Sequence, residues 1–235
     1  MLTVLATPIG NLGDLTPRAR EALGAAALIA CEDTRRTWAL LSANGIARPR
    51  MLSYREGREE SAGAQVIAAL RAGFGVVLCS DGGYPGISDP GYRLVRRVIE
   101  EGLPFDVLPG PCAVDLALLH SGLPTSSYTF KGFPPRKPGA LRRFFEEEQA
   151  AAHTLIVYES PFRVGASLAA AREVLGDRQA AVCIELTKHH QRISRGWLSE
   201  LAAQYREAAI KGEVTLVIAG NHPKLTRSAD RDSSS

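Results

Sequence analysis

The sequence predicts an α/β protein of two domains, the first built on a largely parallel sheet and the second on a mixed one. Three observations carry that prediction. Short apolar runs bounded by turn residues alternate with segments of helical period from the first residues onward. Runs such as Val76 to Cys79 (VVLC) are apolar throughout and do not alternate inside and out, as expected of strands covered on both faces of a parallel sheet. Beyond Gly122 to Thr125 (GLPT) the style changes to a strand, a proline-stiffened loop and a charged helix, so a second unit begins near residues 121–126. A length of 235 residues, 45% of them hydrophobic, is enough for two small domains with real cores.

Taken in order, Thr3 to Ala6 is the first expected strand and Pro17 to Leu23 the first helix. Thr16 suits the N-cap and Pro17 the first helical position, where a missing N–H loses no hydrogen bond. Strands follow at Ala27 to Cys31, Arg50 to Tyr54, Gly75 to Ser80 and Phe105 to Leu108, with a helix in each gap, so residues 1–121 form five βα units. Asp89 before Pro90 reads as the N-cap of the helix that follows it. In the second domain, residues 126–222, Ser127 to Gly132 is a strand, PPRKPG a stiff loop and Leu141 to Ala151 a charged helix. Strands at Thr154 to Tyr158, Ala181 to Leu186, Gln191 to Trp197 and Val214 to Ala219, with a helix at Glu200 to Lys211, complete it. Residues 223–235 lack an apolar period and are expected to be a disordered tail.

Composition narrows the function classes. The four cysteines, Cys31, Cys79, Cys112 and Cys183, are too far apart for a CxxC knuckle or a disulfide framework, which points to a reducing compartment. His189 and His190 lack a third ligand at a recognisable spacing, so no metal is expected. MLTVLATPIG has no basic segment ahead of its apolar run, and no window approaches a membrane span. A soluble, cytoplasmic protein with no membrane partner is expected. The net charge of +3 leaves any nucleic-acid contact to local basic clusters.

Ligands of parallel α/β sheets bind at the carboxyl ends of strands, so the segments found there matter most. They are TPIGNLGD (Thr7 to Asp14), CEDTRRT (Cys31 to Thr37), SDGGYPGISDPG (Ser80 to Gly91) and PGPCAV (Pro109 to Val114), then YESPFR (Tyr158 to Arg163) and ELTK (Glu185 to Lys188). Glycine lets the main chain come close to a ligand and proline stiffens the approach. A site made largely of main chain suits a ligand brought in already reactive. GxxxxGK[ST] is absent and no GxGxxG leads from a strand into a helix, so neither a P-loop nor a Rossmann dinucleotide site is indicated; HExxH and GxSxG are missing too.

In this order and together with GFPPRK (Gly132 to Lys137), these segments closely resemble the bacterial 16S ribosomal RNA cytidine 2′-O-methyltransferases, a branch of the tetrapyrrole methylase superfamily. The likeness runs from about Leu2 to Gly220. Gly83-Tyr84 stands where Ala-Thr is expected and Cys112 where Ser is expected after PGP; both keep the backbone pattern. The resemblance implies two α/β domains with S-adenosylmethionine (SAM) in the cleft between them, a homodimer, and a decoding-centre cytidine of 16S ribosomal RNA as substrate. Carried over position by position, SAM is met by Pro8, Ile9, Gly10, Asp81, Gly82, Gly83, Tyr84, Cys112, Ala113, Tyr158, Leu186 and Thr187, with Gly212 to Val214 as a further segment.

A ribose hydroxyl is a poor nucleophile while protonated, so a general base is expected. Glu159, Asp33 and Lys188 each follow an expected strand end and are the candidates, Lys188 only if burial or neighbouring cations lower its pKa. Arg35, Arg36, Arg136, Lys137 and Arg163 are expected to contact RNA phosphates, with Arg142, Arg143, Arg192 and Arg195 as further cations. Two other readings stay open: a superfamily member acting on a tetrapyrrole, corrin or diphthamide, and a non-catalytic ribosome assembly factor that binds RNA.

Overall fold

The computed structural model describes residues 1–227 and divides into two compact units, the first Met1–Cys112 and the second beginning at Ala113. In the first unit β1 (Leu2–Leu5), β2 (Leu28–Cys31), β3 (Arg50–Ser53), β4 (Val76–Cys79) and β5 (Phe105–Leu108) form a parallel sheet in the order β3-β2-β4-β1-β5. The intervening helices are α1 (Pro17–Ala25), α2 (Thr34–Ala43), α3 (Glu59–Arg71) and α4 (Tyr92–Glu100). Strand residues sort by parity. Leu2, Val4, Leu28, Ala30, Val76 and Leu78 pack with Val66, Ile67 and Leu70 of α3 and with Leu94 and Val98 of α4. Leu5, Ile29, Cys31, Val77 and Cys79 pack with Ala19 and Leu23 of α1 and Leu41 of α2. Both faces are covered, which is why these strands read as unbroken apolar runs. Thr16 caps α1 by accepting from the Ala19 N–H at 3.2 Å. Helix α4 begins at Tyr92 with Gly91 at its N-cap, so Asp89 is not the cap the sequence suggests.

The second unit runs α5 (Ala113–Ser121), β6 (Tyr128–Phe130), α6 (Pro138–Glu146), β7 (Thr154–Glu159), α7 (Val164–Leu175), β8 (Asp177–Ile184), β9 (Arg192–Trp197), α8 (Leu198–Gln204), β10 (Val214–Ile218) and β11 (Thr226–Arg227). Its mixed sheet has the order β11-β8-β10-β7-β6, with β9 also on β8; β6 and β7 are parallel and the other pairs antiparallel. On one face Leu155, Val157, Val182, Ile184, Val214 and Leu216 join α6, α7 and α8 in a core around Phe145 and Leu168. Helix α5 packs against β8 and β10, and its Ala117 carbonyl lies 3.9 Å from the Cys183 sulfur.

That packing puts the division after Cys112, earlier than the expected 121–126: buried Val114, Ala117 and Leu118 of α5 are committed to the second sheet. Helix α6 starts at Pro138 and α8 ends at Gln204, both shifted toward the N-terminus of the expected spans. The expectation that residues 223–235 are disordered is corrected at its start, where Thr226 and Arg227 pair with Arg178 and Asp177 of β8. The remainder, 228–235, lies outside the described residues. Among the described residues no helix is long and apolar enough to cross a membrane.

Candidate functional site

In the first unit the strand order sets β2, β4, β1 and β5 side by side, and their common direction brings the four following loops to one edge. These loops are stitched together. Thr7 and Gly83 exchange main-chain hydrogen bonds of 3.0 and 2.9 Å, joining the loop after β1 to the loop after β4. The Thr7 hydroxyl donates to the Ser80 carbonyl and the Ser80 hydroxyl to the Gly83 carbonyl, both at 3.0 Å. The Tyr84 hydroxyl donates to the Leu108 carbonyl at 3.0 Å, which ties in the end of β5. Gly83 has φ +78°, a conformation that disfavours any side chain, and a Cβ there would sit 3.6 Å from the Ile9 side chain. The glycines of SDGGYPGISDPG thus let one loop close against its neighbours while Ser80 and Tyr84 lock it. Pro8, Ile9, Gly82 and Gly83 are neighbours here; Cys112 ends this unit and Ala113 opens α5 of the next.

A cluster of charge borders these loops. Asp81 accepts from the Asp33 N–H at 3.1 Å with one oxygen and from Arg36 at 3.2 Å with the other. Asp33 caps α2 by accepting from the Arg35 N–H at 2.8 Å and is paired with the Arg35 guanidinium, also at 2.8 Å. That pairing holds the Asp33 carboxyl far below the usual carboxylate range, which weighs against the expectation that Asp33 is a general base; in the structure it caps α2. Glu32, inside the same CEDTRRT segment, behaves oppositely. Burial and then the Asp81 charge push its carboxyl up, against a smaller lowering by Arg36. Sequence reasoning passed it over; the signal available was a carboxylate directly before the cap, at the end of an apolar strand. Arg35 and Arg36 are largely exposed, but each already has a carboxylate partner.

In the second unit the parallel pair β6 and β7 carries GFPPRK and YESPFR to one end. Glu159 is buried, accepts from the Ser160 N–H at 2.7 Å and from the Ser167 hydroxyl, and forms an ion pair with Arg163, whose nearest nitrogen is 3.2 Å away. Arg163 also donates to the carbonyls of Pro134 at 3.2 Å and Pro135 at 2.7 Å. Glu159 is enclosed in this network, and Arg163 fastens two loops together with donors a phosphate would otherwise use, so both arrangements weigh against the expected roles of base and phosphate contact. Arg136 and Lys137 are exposed and, among the described residues, in no ion pair. Tyr158 packs against Phe130 and Phe133, with ring centroids 4.7 and 5.6 Å away.

The segment after β8 is held in an uncommon shape. Glu185 has φ +53° and Thr187 φ +65°, the left-handed region where a non-glycine residue persists only if its surroundings impose it. Glu185 donates its N–H to the Glu213 carbonyl at 2.9 Å, and its carboxylate accepts from the Glu213 N–H at 2.8 Å and from Lys188 at 2.7 Å. Gly212 leaves room for this, since a Cβ there would overlap the Glu185 side chain. Lys188 bonds Glu213 as well, at 3.1 Å. Burial alone would lower its pKa, but hydrogen bonds to the two carboxylates outweigh burial and raise it. These partners weigh against the lowered pKa on which a base role for Lys188 depends; it is a cation bonded to Glu185 and Glu213.

Burial pushes the thiols of Cys31 and Cys79 up, and that of Cys183 to about 11, while Cys112 is partly exposed. Among the described residues no group of three His, Cys, Asp or Glu side chains could hold a metal ion.

A family profile described as tetrapyrrole (corrin/porphyrin) methylases matches residues 1–202. A protein of Halalkalibacterium halodurans named ribosomal RNA small subunit methyltransferase I is 45% identical over 95% of this chain and 77% of its own length. One of the same name from Mesorhizobium japonicum is 45% identical over 98% of this chain and 79% of its own. Among solved structures, uroporphyrin-III C-methyltransferase from Thermus thermophilus, complexed with S-adenosyl homocysteine, superposes with a TM-score of 0.60 at 21% identity, covering 93% of this chain and 96% of that one. At that identity the likeness concerns the fold.

Proposed function

The chain belongs to the tetrapyrrole (corrin/porphyrin) methylase family, and from that premise we propose that it is a SAM-dependent methyltransferase of small-subunit ribosomal RNA. The observation that carries the proposal is 45% identity, over 95% of the chain, to a relative named for that activity. The finer reading is that it methylates the ribose 2′-hydroxyl of a decoding-centre cytidine in 16S RNA, and that it works as a cytoplasmic homodimer.

The first unit's loop edge fits the cofactor on its own chemistry. A Cβ on Gly82 would meet the Ile9 Cα and the Pro8 carbonyl at 3.7 Å, so the glycine leaves a space walled by main chain. The nearby carboxylates of Asp81 and Glu32 complement a ligand bearing a sulfonium and an ammonium. In this reading Pro8, Ile9, Gly10, Asp81 to Tyr84 and Cys112 of the first unit hold SAM. SAM supplies a methyl group already activated on sulfur. The protein's task is then to position the acceptor and remove its proton. Glu32, whose carboxyl burial and the Asp81 charge push up, is the base proposed in place of Asp33, Glu159 and Lys188. Arg35, Arg36, Arg136 and Lys137 are proposed to meet phosphates.

The test is incubation of the protein with methyl-labelled SAM and either small ribosomal subunits or tetrapyrroles. Label on ribosomal RNA that survives alkaline hydrolysis as a dinucleotide supports ribose methylation, because a 2′-O-methyl protects the adjoining phosphodiester. Label released in mononucleotides rejects it. Label only on tetrapyrroles returns the chain to its family's other chemistry, and the absence of saturable SAM binding would favour a non-catalytic assembly factor. Light scattering at micromolar concentration reads the dimer.

A further inference from the structure

Phe162 is 91% exposed, the most exposed of the large hydrophobic side chains among the described residues. It does not hang on a loose loop. The Arg163 N–H closes a turn onto the Ser160 carbonyl at 2.9 Å, with Pro161 and Phe162 as the central residues. The turn is pinned below by buried Glu159 and from the side by the Arg163 bonds to Pro134 and Pro135. A rigid backbone therefore presents an aromatic ring to solvent with two side-chain torsions left to order. The loop on the adjacent parallel strand, held to the same turn by Arg163, offers Phe133 at 60% exposure and the exposed cations Arg136 and Lys137, in no ion pair among the described residues.

An exposed ring on a fixed turn beside exposed cations matches what single-stranded nucleic acid requires: a stacking platform for a base and positive charge along the backbone. A second copy of this chain is a poorer occupant. A self-complementary contact would bring Arg136 and Lys137 against their own copies, with no acidic side chain between Phe133 and Lys137 or between Ser160 and Arg163 to compensate. We infer that Phe162 stacks on an unpaired nucleobase of the RNA substrate while Arg136 and Lys137 hold the phosphates beside it. This rests on the reading of the chain as an RNA methyltransferase and adds the feature it recognises: the target is engaged as an unpaired strand with at least one splayed base.

The experiment measures binding of the full-length protein to a short fluorescein-labelled single-stranded RNA and to the same strand made abasic, over a range of salt. Phe162→Ala should weaken binding of the base-bearing strand by about 5- to 100-fold, leave the abasic strand unaffected and leave the salt dependence unchanged. Phe162→Trp should restore affinity. Arg136→Ala with Lys137→Ala should instead weaken both strands and flatten the log–log salt slope by about 0.7 per lost phosphate contact. SAM affinity and the far-UV circular dichroism should match wild type throughout. Equal binding by wild type and Phe162→Ala would overturn the inference, as would dissociation of a dimer on substitution, which would make the ring a protein contact. A wild-type protein that neither binds nor labels ribosomal RNA would instead defeat the underlying reading.

Discussion

Replacing Asp81 separates two jobs that one carboxylate performs. One oxygen accepts from the Asp33 N–H in a partly buried setting and the other pairs with Arg36, whose side chain is 70% exposed while that of Asp81 is 15% exposed. A hydrogen bond to a charged group contributes roughly 1.5–3 kcal/mol, and losing it leaves the Asp33 N–H without its partner. The exposed ion pair contributes at most about 1 kcal/mol. Asp81→Ala should therefore cost the first unit about 2–3 kcal/mol, Arg36→Ala less than about 1 kcal/mol, and Asp81→Asn an intermediate amount, since an amide oxygen still accepts from Asp33. Trp38 lies on α2 and Trp197 in the second unit, and the sequence has only these two tryptophans. A Trp197→Phe background makes urea unfolding followed by fluorescence a report on the first unit. If the Asp81 carboxylate also orders the loop that meets SAM, calorimetry should show Asp81→Ala losing up to about 100-fold in SAM affinity, with Asp81→Asn recovering most of it. Equal costs for Asp81→Ala and Arg36→Ala would refute the reasoning, because the buried acceptor would then contribute nothing beyond the surface pair.

Glu32→Gln should lower kcat by roughly 10²- to 10⁴-fold and, by removing a charge that burial disfavours, raise the melting temperature near neutral pH. Because the folded carboxyl is raised, the acid limb of the kcat/KM profile should lie above the ordinary glutamate range of about 4.3, and Asp81→Asn, which removes a neighbouring negative charge, should move it to lower pH. Gly165→Ala should destabilise the second unit by about 1–3 kcal/mol, because a Cβ there overlaps the Tyr205 carbonyl oxygen and sits 3.0 Å from its carbon, whereas Gly24→Ala, with nothing within 4 Å, should stabilise α1 by about 0.5–1 kcal/mol; denaturant midpoints read both. Arg35→Ala should flatten the salt dependence of RNA binding while sparing SAM affinity, and Arg36→Ala, through Asp81, should disturb both.

The parallel sheet was legible because Val76 to Cys79 and Leu28 to Cys31 are buried on both faces and so carry no polar residue to interrupt them. Thr16 and Pro17 announced α1 by local chemistry alone. The assignment of α5 was not legible: its apolar residues would suit either sheet, and packing against β8 and β10, far along the chain, decides. The same limit governs the site. That loops follow strand ends is a local fact, but the fates of three candidate bases depend on partners: Arg35 for Asp33, Ser167 and Arg163 for Glu159, Glu185 and Glu213 for Lys188. Glu32 gains its proton affinity from burial and from Asp81, neither of which its immediate neighbours reveal. The positive φ angles at Glu185 and Thr187 fall on residues that do not favour them, so sequence carries no sign of them.

The uneven burial of the thiols makes the chain a chemical probe of itself. Cys31 and Cys79 face each other in register on β2 and β4, sealed in the sheet, and like Cys183 they stay protonated and out of reach of an alkylating reagent. Cys112 is the partly exposed one, at the end of the PGPC segment. A maleimide should thus add once to the native protein, and the rate of that single addition becomes an optical or mass-spectrometric clock for events at that segment. Slowing of the clock by SAM would record occupancy beside Cys112 without isotopes, RNA or turnover, and a fluorophore placed there would follow binding in real time.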